Sequence, residues 1–464
     1  LNLPYSRPIY RCYRCSINSP AFCLPPLELL YLAAVLREAG VETSFLDAVA
    51  ERVGQADTLK RIHEIQPDLI VSIMGYEHFT EDVATVNFIR ENASVPHYTV
   101  MGYLPSHYPA ETLRHLQADS ILRFEPEQTL REVVNALRSG RGLDGIAGAV
   151  WRDGETFRVG PDRPRMSSEE LEGLPLPARD LLKLGIYREP FLSKPFTTYQ
   201  AGRGCPYKCT YCTATYGSKF VTRSPAHVVA EIEENRRRLG IRHFRFTDDT
   251  FAVSLPWTRE FAERMMAANG SYDWVCLTRV DLMDPERMRL LRAAGCRRLH
   301  VGIESGSQRI LDYYNKRIRA DQIPEMVRNA QREGLEVVGY FVVGSPIETE
   351  ADYQQTVDLA ERLKLDMASV YPMMPYPDTA SCATLGEAVE FQLYPYQVQY
   401  RDAQITQVAN QRARSLMKRI YLSPHFMASK VKWVARYPVY SLTAGREFGR
   451  WLLHRPSHKR KTLL

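Results

Sequence analysis

The run Ala201-Gly-Arg-Gly-Cys-Pro-Tyr-Lys-Cys-Thr-Tyr-Cys212 sets Cys205, Cys209 and Cys212 at C-x3-C-x2-C spacing, just after the β-prone stretch Phe196-Thr-Thr-Tyr199. A 4Fe–4S cluster wants one thiolate per iron, so a set of three cysteines leaves one iron with an open position for a small molecule. A structural zinc site closes with four ligands. No histidine or fourth cysteine stands at finger spacing here. The chemistry indicated is an iron–sulfur cluster with a free coordination position.

A second thiol group lies near the start. Cys12, Cys15 and Cys23 fall in the loop after the first expected strand, and Arg11 and Arg14 flank the C-x2-C. Nearby guanidinium groups favour thiolates. A second cluster, a redox pair, a substrate contact and plain free thiols all stay open. Cys276, Cys296 and Cys382 are isolated and read as core or surface residues.

The elements that must position these groups form an α/β pattern. Residues 1–140 alternate strand and helix signals. Pro25–Gly40 is an amphipathic helix between a proline start and a glycine stop. Residues 41–46, 69–73 and 98–101 read as strands, which predicts a doubly wound, Rossmann-like domain with any ligand at the strands' carboxyl ends. Residues 141–195 are a Gly/Pro-punctuated connector that includes Leu174-Pro-Leu-Pro-Ala-Arg-Asp180. Six further strands, at 197–200, 243–247, 275–279, 299–304, 337–343 and 368–372, predict a partial (β/α)6 TIM-like barrel over 196–385. Residues 386–464 read as a mainly helical C-terminal region.

Barrel chemistry belongs at the carboxyl ends of the strands. The suggestive residues there are Asp248 and Asp249 after the second strand, and Arg279 ending the third. Glu304 and Ser305 end the fourth, and Gly339 and Gly344 bracket the fifth. Singly, each fits ordinary turn and cap chemistry as well as binding.

In this order behind the three cysteines, the residues resemble the radical S-adenosylmethionine (SAM) superfamily. Tyr211, just before the third cysteine, fits that family too. The doubly wound domain in front is similar to the cobalamin-binding branch, which includes class B methyltransferases and the anaerobic magnesium-protoporphyrin cyclase. The resemblance implies a 4Fe–4S cluster on Cys205, Cys209 and Cys212. It implies SAM contacts at Tyr211, Asp249, Arg279, Glu304, Ser305, Gly339 and Gly344, and a cobalamin. The implied activity is reductive cleavage of SAM to a 5′-deoxyadenosyl radical, followed by methylation or cyclisation of an unactivated carbon. An external donor such as flavodoxin or ferredoxin would supply the electron. Two alternatives stand beside it: a methylthiotransferase-like enzyme with a second cluster at Cys12, Cys15 and Cys23, and an electron-transfer or cobalamin-carrier protein.

Two departures bear on the corrin. Where the family often shows a Gly-Gly pair and then His, this chain has Met101-Gly-Tyr-Leu-Pro-Ser-His107, and Arg123-Phe-Glu-Pro-Glu127 replaces Gly-Glu-Gly-Glu. Tyr103 and Phe124 are expected to crowd the close approach that glycine permits. No Asp-x-His-x-x-Gly occurs, and His78 and His107 are not expected to ligate cobalt.

Composition is that of a soluble globular chain: 464 residues, 45% hydrophobic and 25% charged. No apolar run reaches membrane-span length, and no signal peptide is visible. An oxygen-sensitive cluster needs a reducing compartment, so a cytoplasmic location is expected. The net charge of +6 is uneven: from Arg401 onward fourteen Lys/Arg face Asp402 and Glu447, leaving the first 400 residues acidic. Residues 412–455 interleave these cations with aromatics, which suits a helical cap on the barrel or peripheral contact with an anionic membrane. Nucleic acid is a poorer fit. A small-molecule or lipid-like substrate is expected.

Overall fold

The computed structural model describes residues 1–5, 9–11, 16–18, 23–189, 192, 194–213, 216–268, 270–424 and 426–427. Cys12, Cys15 and most of the basic tail lie outside them. Two α/β units and a C-terminal helix make up the fold.

In the first unit, parallel strands Leu69–Met74, His97–Gly102 and Ser120–Leu122 run side by side. Nearly every side chain on the last two is buried, as a sheet covered on both faces requires. Helices Leu27–Glu38 and Pro126–Arg138 pack together over this sheet. Residues 41–46, expected as a strand, do not form one. The contact there is a single residue: Asn2 bridges in parallel to both Asp47 and Ile73. Pro4 lacks an N–H and stops the ladder early. The order is still that of a doubly wound sheet, with the N-terminal segment between Asp47 and Ile73.

Residues 141–195 do more than connect. Strands Ala149–Asp153 and Thr156–Val159 form a hairpin that adds antiparallel to Ser120–Leu122 and covers that edge. The Pro-rich stretch then fastens both units. Arg179, 1% exposed, pairs with Glu231 at 2.5 Å and donates to Thr198 O at 2.6 Å, while Asp180 meets Arg37 of the first unit at 2.7 Å.

The second unit is a six-stranded parallel sheet in sequential order: Phe196–Tyr199, His243–Phe246, Asp273–Arg279, Cys296–Glu304, Glu336–Val343 and Met367–Pro372. Its helices begin where the sequence signals a start. Ser224, Ser254 and Asp284 each cap a helix with their side-chain oxygen and are followed by a proline in the first turn. Between sheet and helices an aromatic core of Phe244, Phe246, Phe251, Phe261 and Trp274 is closed to solvent.

After the sixth strand come the hairpin Val389–Gln392/Gln397–Tyr400 and helix Ala403–Tyr421. That helix lies along the sheet's last strand, where the Tyr421 hydroxyl donates to Ala368 O at 2.7 Å. Phe246 sits at the centre of the aromatic core, so Phe246→Ala is expected to cost about 3–5 kcal/mol, read as a drop in thermal midpoint with helix content unchanged below it.

Candidate functional site

The three cysteines occupy the loop after the first barrel strand. Gly202–Arg203 pairs with Val221–Thr222 to close its base. Gly204 then turns with φ +77, where a Cβ would lie 2.0 Å from Lys219 O, so only glycine can lead into Cys205. The loop's far side is tied down by Thr210 N to Tyr314 O at 3.0 Å and Asn315 Nδ2 to Lys208 O at 2.7 Å. Cys205 and Cys209 are half-buried and Cys212 is exposed.

The ends of the third and fourth strands meet this loop. Arg279, 4% exposed, donates to Cys209 Sγ at 3.7 Å and to Lys316 O at 2.5 Å. It also pairs with Asp281 and lies 3.6 Å from the Tyr207 ring centre. Lys316 Nζ meets Glu304 Oε1 at 2.6 Å, both groups buried. Glu304 adopts φ +65, a conformation L side chains rarely take, and it turns the carboxylate toward the lysine. Gly302 makes the room: a Cβ there would lie 2.3 Å from Glu304 Oε1. Tyr211 packs edge-on against Tyr314 at 4.9 Å, and burial, then the nearby Glu304 carboxylate, holds its hydroxyl well above the usual tyrosine range. Burial pushes the Cys209 thiol up, against the pull of Lys316 and Arg279.

The other residues expected at the SAM site have protein neighbours of their own. Ser305 is fully buried; its Oγ lies 2.9 Å from Thr356 Oγ1 and accepts from Ser307 N at 3.1 Å. A Cβ on Gly339 would lie 2.6 Å from Leu365 Cδ1, and one on Gly344 2.3 Å from Ala409 Cα. Both glycines therefore serve close packing. Asp249 is half-buried, and its neighbour Asp248 takes the structural role. Asp248 accepts from Ala201 N at 3.1 Å and Gly202 N at 2.6 Å, fixing the base of the cysteine loop. Burial raises the Asp248 carboxyl to about 7, despite those two donors.

Sequence reasoning missed Lys316, whose strand-free position carries no motif, and the polar interior of the barrel. There Tyr340 Oη lies 2.8 Å from His300 Nδ1, and Arg245 pairs with buried Glu189 at 3.2 Å. Burial, then Arg245 and Arg298, pushes His300 well below the usual histidine range.

On the first unit, the loops at the strands' carboxyl ends converge on aromatic rings. Tyr103 stacks on Tyr76 at 5.0 Å and on His107 at 4.1 Å. Tyr103 is buried there, 4% exposed. Phe124 keeps the left-handed backbone, φ +58, that a glycine would favour, and Arg123 and Arg165 cover its ring. His107 pairs with Asp378 of the second unit at 3.3 Å, and Tyr76 packs on Tyr376, so the two units' ligand-bearing edges face one another. Cys23 is half-buried, and burial, then Asp47, raises its thiol to about 12.

The donor sets fit the implied groups. Thiols at 205, 209 and 212 beside two cations suit an anionic iron–sulfur cluster. Among the described residues no three His, Cys, Asp or Glu converge on a single metal ion. Tyr76, Tyr103 and His107 stack in turn, and His107 alone of the three is partly exposed, which gives this edge of the first unit an aromatic character.

Removing one partner from a buried ion pair strands the other charge. Lys316→Met is expected to cost about 3–5 kcal/mol in chemical denaturation, and adding Glu304→Gln should recover part of it. Asp248 binds its proton more tightly when folded than its ordinary value of 3.8. Folding stability should therefore fall as pH rises from 3.8 to about 7, and Asp248→Asn should flatten that part of the stability–pH curve.

Comparison with known proteins agrees with this geometry. Residues 199–360 match the radical SAM superfamily model, and residues 13–134 match the B12 binding domain. An uncharacterized methyltransferase of Pyrococcus horikoshii is 31% identical over 359 residues, 76% of this chain and 77% of that one. The anaerobic magnesium-protoporphyrin IX monomethyl ester cyclase of Rubrivivax gelatinosus is 26% identical over 379 residues, 79% of this chain and 67% of that one. The structure of the radical SAM methyltransferase TsrM from Kitasatospora setae, with cobalamin and a 4Fe–4S cluster bound, shares the fold. It superposes with a TM-score of 0.66 at 18% identity, covering 79% of this chain and 74% of that one. This chain belongs to the radical SAM enzymes that carry a B12-binding domain, a family built around a 4Fe–4S cluster, SAM and cobalamin.

Proposed function

We propose that Cys205, Cys209 and Cys212 hold the cluster, that Tyr211, Arg279, Glu304 and Lys316 form the seat for SAM, and that the chain methylates or cyclises an unactivated carbon of a small molecule. The observation that carries this reading is the convergence at the barrel mouth. Arg279 touches both Cys209 Sγ and Lys316 O, and Lys316 in turn holds Glu304. When bound, the cluster supplies the electron that cleaves SAM and the corrin supplies a transferable methyl group.

The chain's residues do the rest. A SAM amino group finds an acceptor in Glu304, and a carboxylate finds cations in Arg279 and Lys316. Ser305, Gly339 and Gly344 act on that seat through packing, and Asp249 through its place beside Asp248. Tyr76 against Tyr376 and His107 against Asp378 close the first unit over the second, which keeps water from a reactive intermediate. In this reading residues 1–140 carry the corrin and 196–385 the chemistry, with an external flavodoxin- or ferredoxin-like donor. A lipid-like substrate and peripheral membrane contact are the finer reading, supported by the basic and aromatic composition of residues 412–455. No helix among the described residues is long and apolar enough to cross a membrane.

Anaerobic reconstitution with iron, sulfide and hydroxocobalamin tests this. About four irons per chain and a retained corrin absorption band are expected. About eight irons without a corrin band would overturn the cobalamin part. Cys209→Ala should lose the cluster's visible absorption and all SAM cleavage; cleavage retained by that variant would remove the three cysteines from the mechanism.

A further inference from the structure

One buried arginine joins the two cofactor-bearing units, and no step above uses it. Arg203 lies two residues before Cys205, and its side chain is 1% exposed. Its Nη1 donates to Glu125 Oε1 at 3.1 Å and its Nη2 to Glu127 Oε1 at 2.6 Å. Its Nε reaches Gln200 at 3.0 Å, and its Nη1 also approaches Met166 Sδ at 3.7 Å. The guanidinium stacks over Tyr216 at 4.7 Å and near Tyr31 at 5.6 Å. Glu125 and Glu127 come from the other unit, at the start of helix Pro126–Arg138, and are 4% and 3% exposed. Glu125 is fixed further by Met166 N, which donates to its Oε2 at 2.9 Å. Burial disfavours the Arg203 charge, but Glu127, Tyr216 and Glu125 together outweigh that and hold it protonated.

Such a site is a poor device for stability alone. Desolvating three charges costs several kcal/mol per ion, and a hydrophobic trio of the same volume would often do as well. Here two carboxylates converge on one cation, and Glu127 Oε2 is left buried without a hydrogen-bond partner. What the arrangement provides is register. A guanidinium offers a fixed planar fork, so both carboxylates must keep one place relative to it. Glu125 adjoins Phe124 on the aromatic edge of the first unit, and Arg203 sits on the short strand that leads into the cysteine loop. The Arg203 contact thus links the corrin-side edge to the base of the cysteine loop.

We infer that Arg203, clamped by Glu125 and Glu127, is a positioning residue that fixes the corrin-bearing edge against the cysteine loop. This rests on the cofactor assignment above. The test uses the full chain, reconstituted anaerobically with iron, sulfide and hydroxocobalamin, and compares wild type with R203M, R203K, the pair E125Q/E127Q, and R37A. Arg37 makes the exposed pair with Asp180 across the same two units and serves as the control. Each sample is matched for iron and corrin content; a stepwise titration with titanium(III) citrate first reduces the bound cob(III)alamin to cob(II)alamin and then the cluster, and the readout is the electron paramagnetic resonance line of cob(II)alamin before and after that second step.

Wild type and R37A should show the line broadened by the reduced cluster's spin. R203M and E125Q/E127Q, equally loaded, should lose that broadening, and R203K should regain part of it. Unchanged broadening in R203M overturns the inference; where R203M does not fold, unchanged broadening in E125Q/E127Q does so. No broadening in a fully loaded wild type overturns it too. A wild type that takes up iron but no corrin overturns the cofactor assignment, and the inference falls with it.

Discussion

A buried guanidinium must be surrounded by acceptors, and three arginines in this chain use that requirement to hold separate segments together. Arg179 joins the Pro-rich connector to the first barrel strand and to helix Pro225–Leu239. Arg203 joins the first unit to the base of the cysteine loop. Arg279 joins the third strand to Cys209 and to the backbone of Lys316. Each is 4% exposed or less, so none can drift without leaving charges unpaired in a medium that cannot solvate them. The hydrophobic core makes each unit fold; these three contacts decide how the units and the loop meet.

The same economy shapes the barrel mouth. A strand cannot by itself bring Glu304 back onto Lys316, so its last residue takes a left-handed turn. Gly302 supplies the space by lacking a side chain. The strain at Glu304 is tolerated because a buried ion pair holds it there.

Much of this was legible in the sequence because it is written locally. Cysteine spacing, strand-end polar residues and helix starts marked by Ser-Pro or Asp-Pro each occupy a few consecutive positions. The six barrel strands were visible for the same reason, since each carries a short β-prone run bounded by turn or helix signals. What escaped was set by tertiary partners. Lys316 reads as an ordinary surface lysine until Glu304 is seen beside it, and the neighbours of Ser305, Gly339 and Gly344, namely Thr356, Leu365 and Ala409, come from distant segments that no local motif names. Residues 41–46 have strand-like composition, yet a neighbour that offers one bridging residue cannot make a ladder. The hairpin at 149–159 was hidden because its outer strand is largely exposed and carries no apolar run.

Helix Ala403–Tyr421 has a consequence for how the molecule avoids its own copies. A six-stranded sheet that does not close leaves its last strand, Met367–Pro372, with one side unpaired, and an unpaired strand edge is a template for another chain. A seventh strand would be the usual cover, but here a helix lies along the edge and a single phenol, Tyr421, both donates to Ala368 O and accepts from Ala368 N. Gly344 lets the helix come close enough for that. The C-terminal region thereby insulates the barrel from fibre-like association while leaving its flank unsealed by sheet.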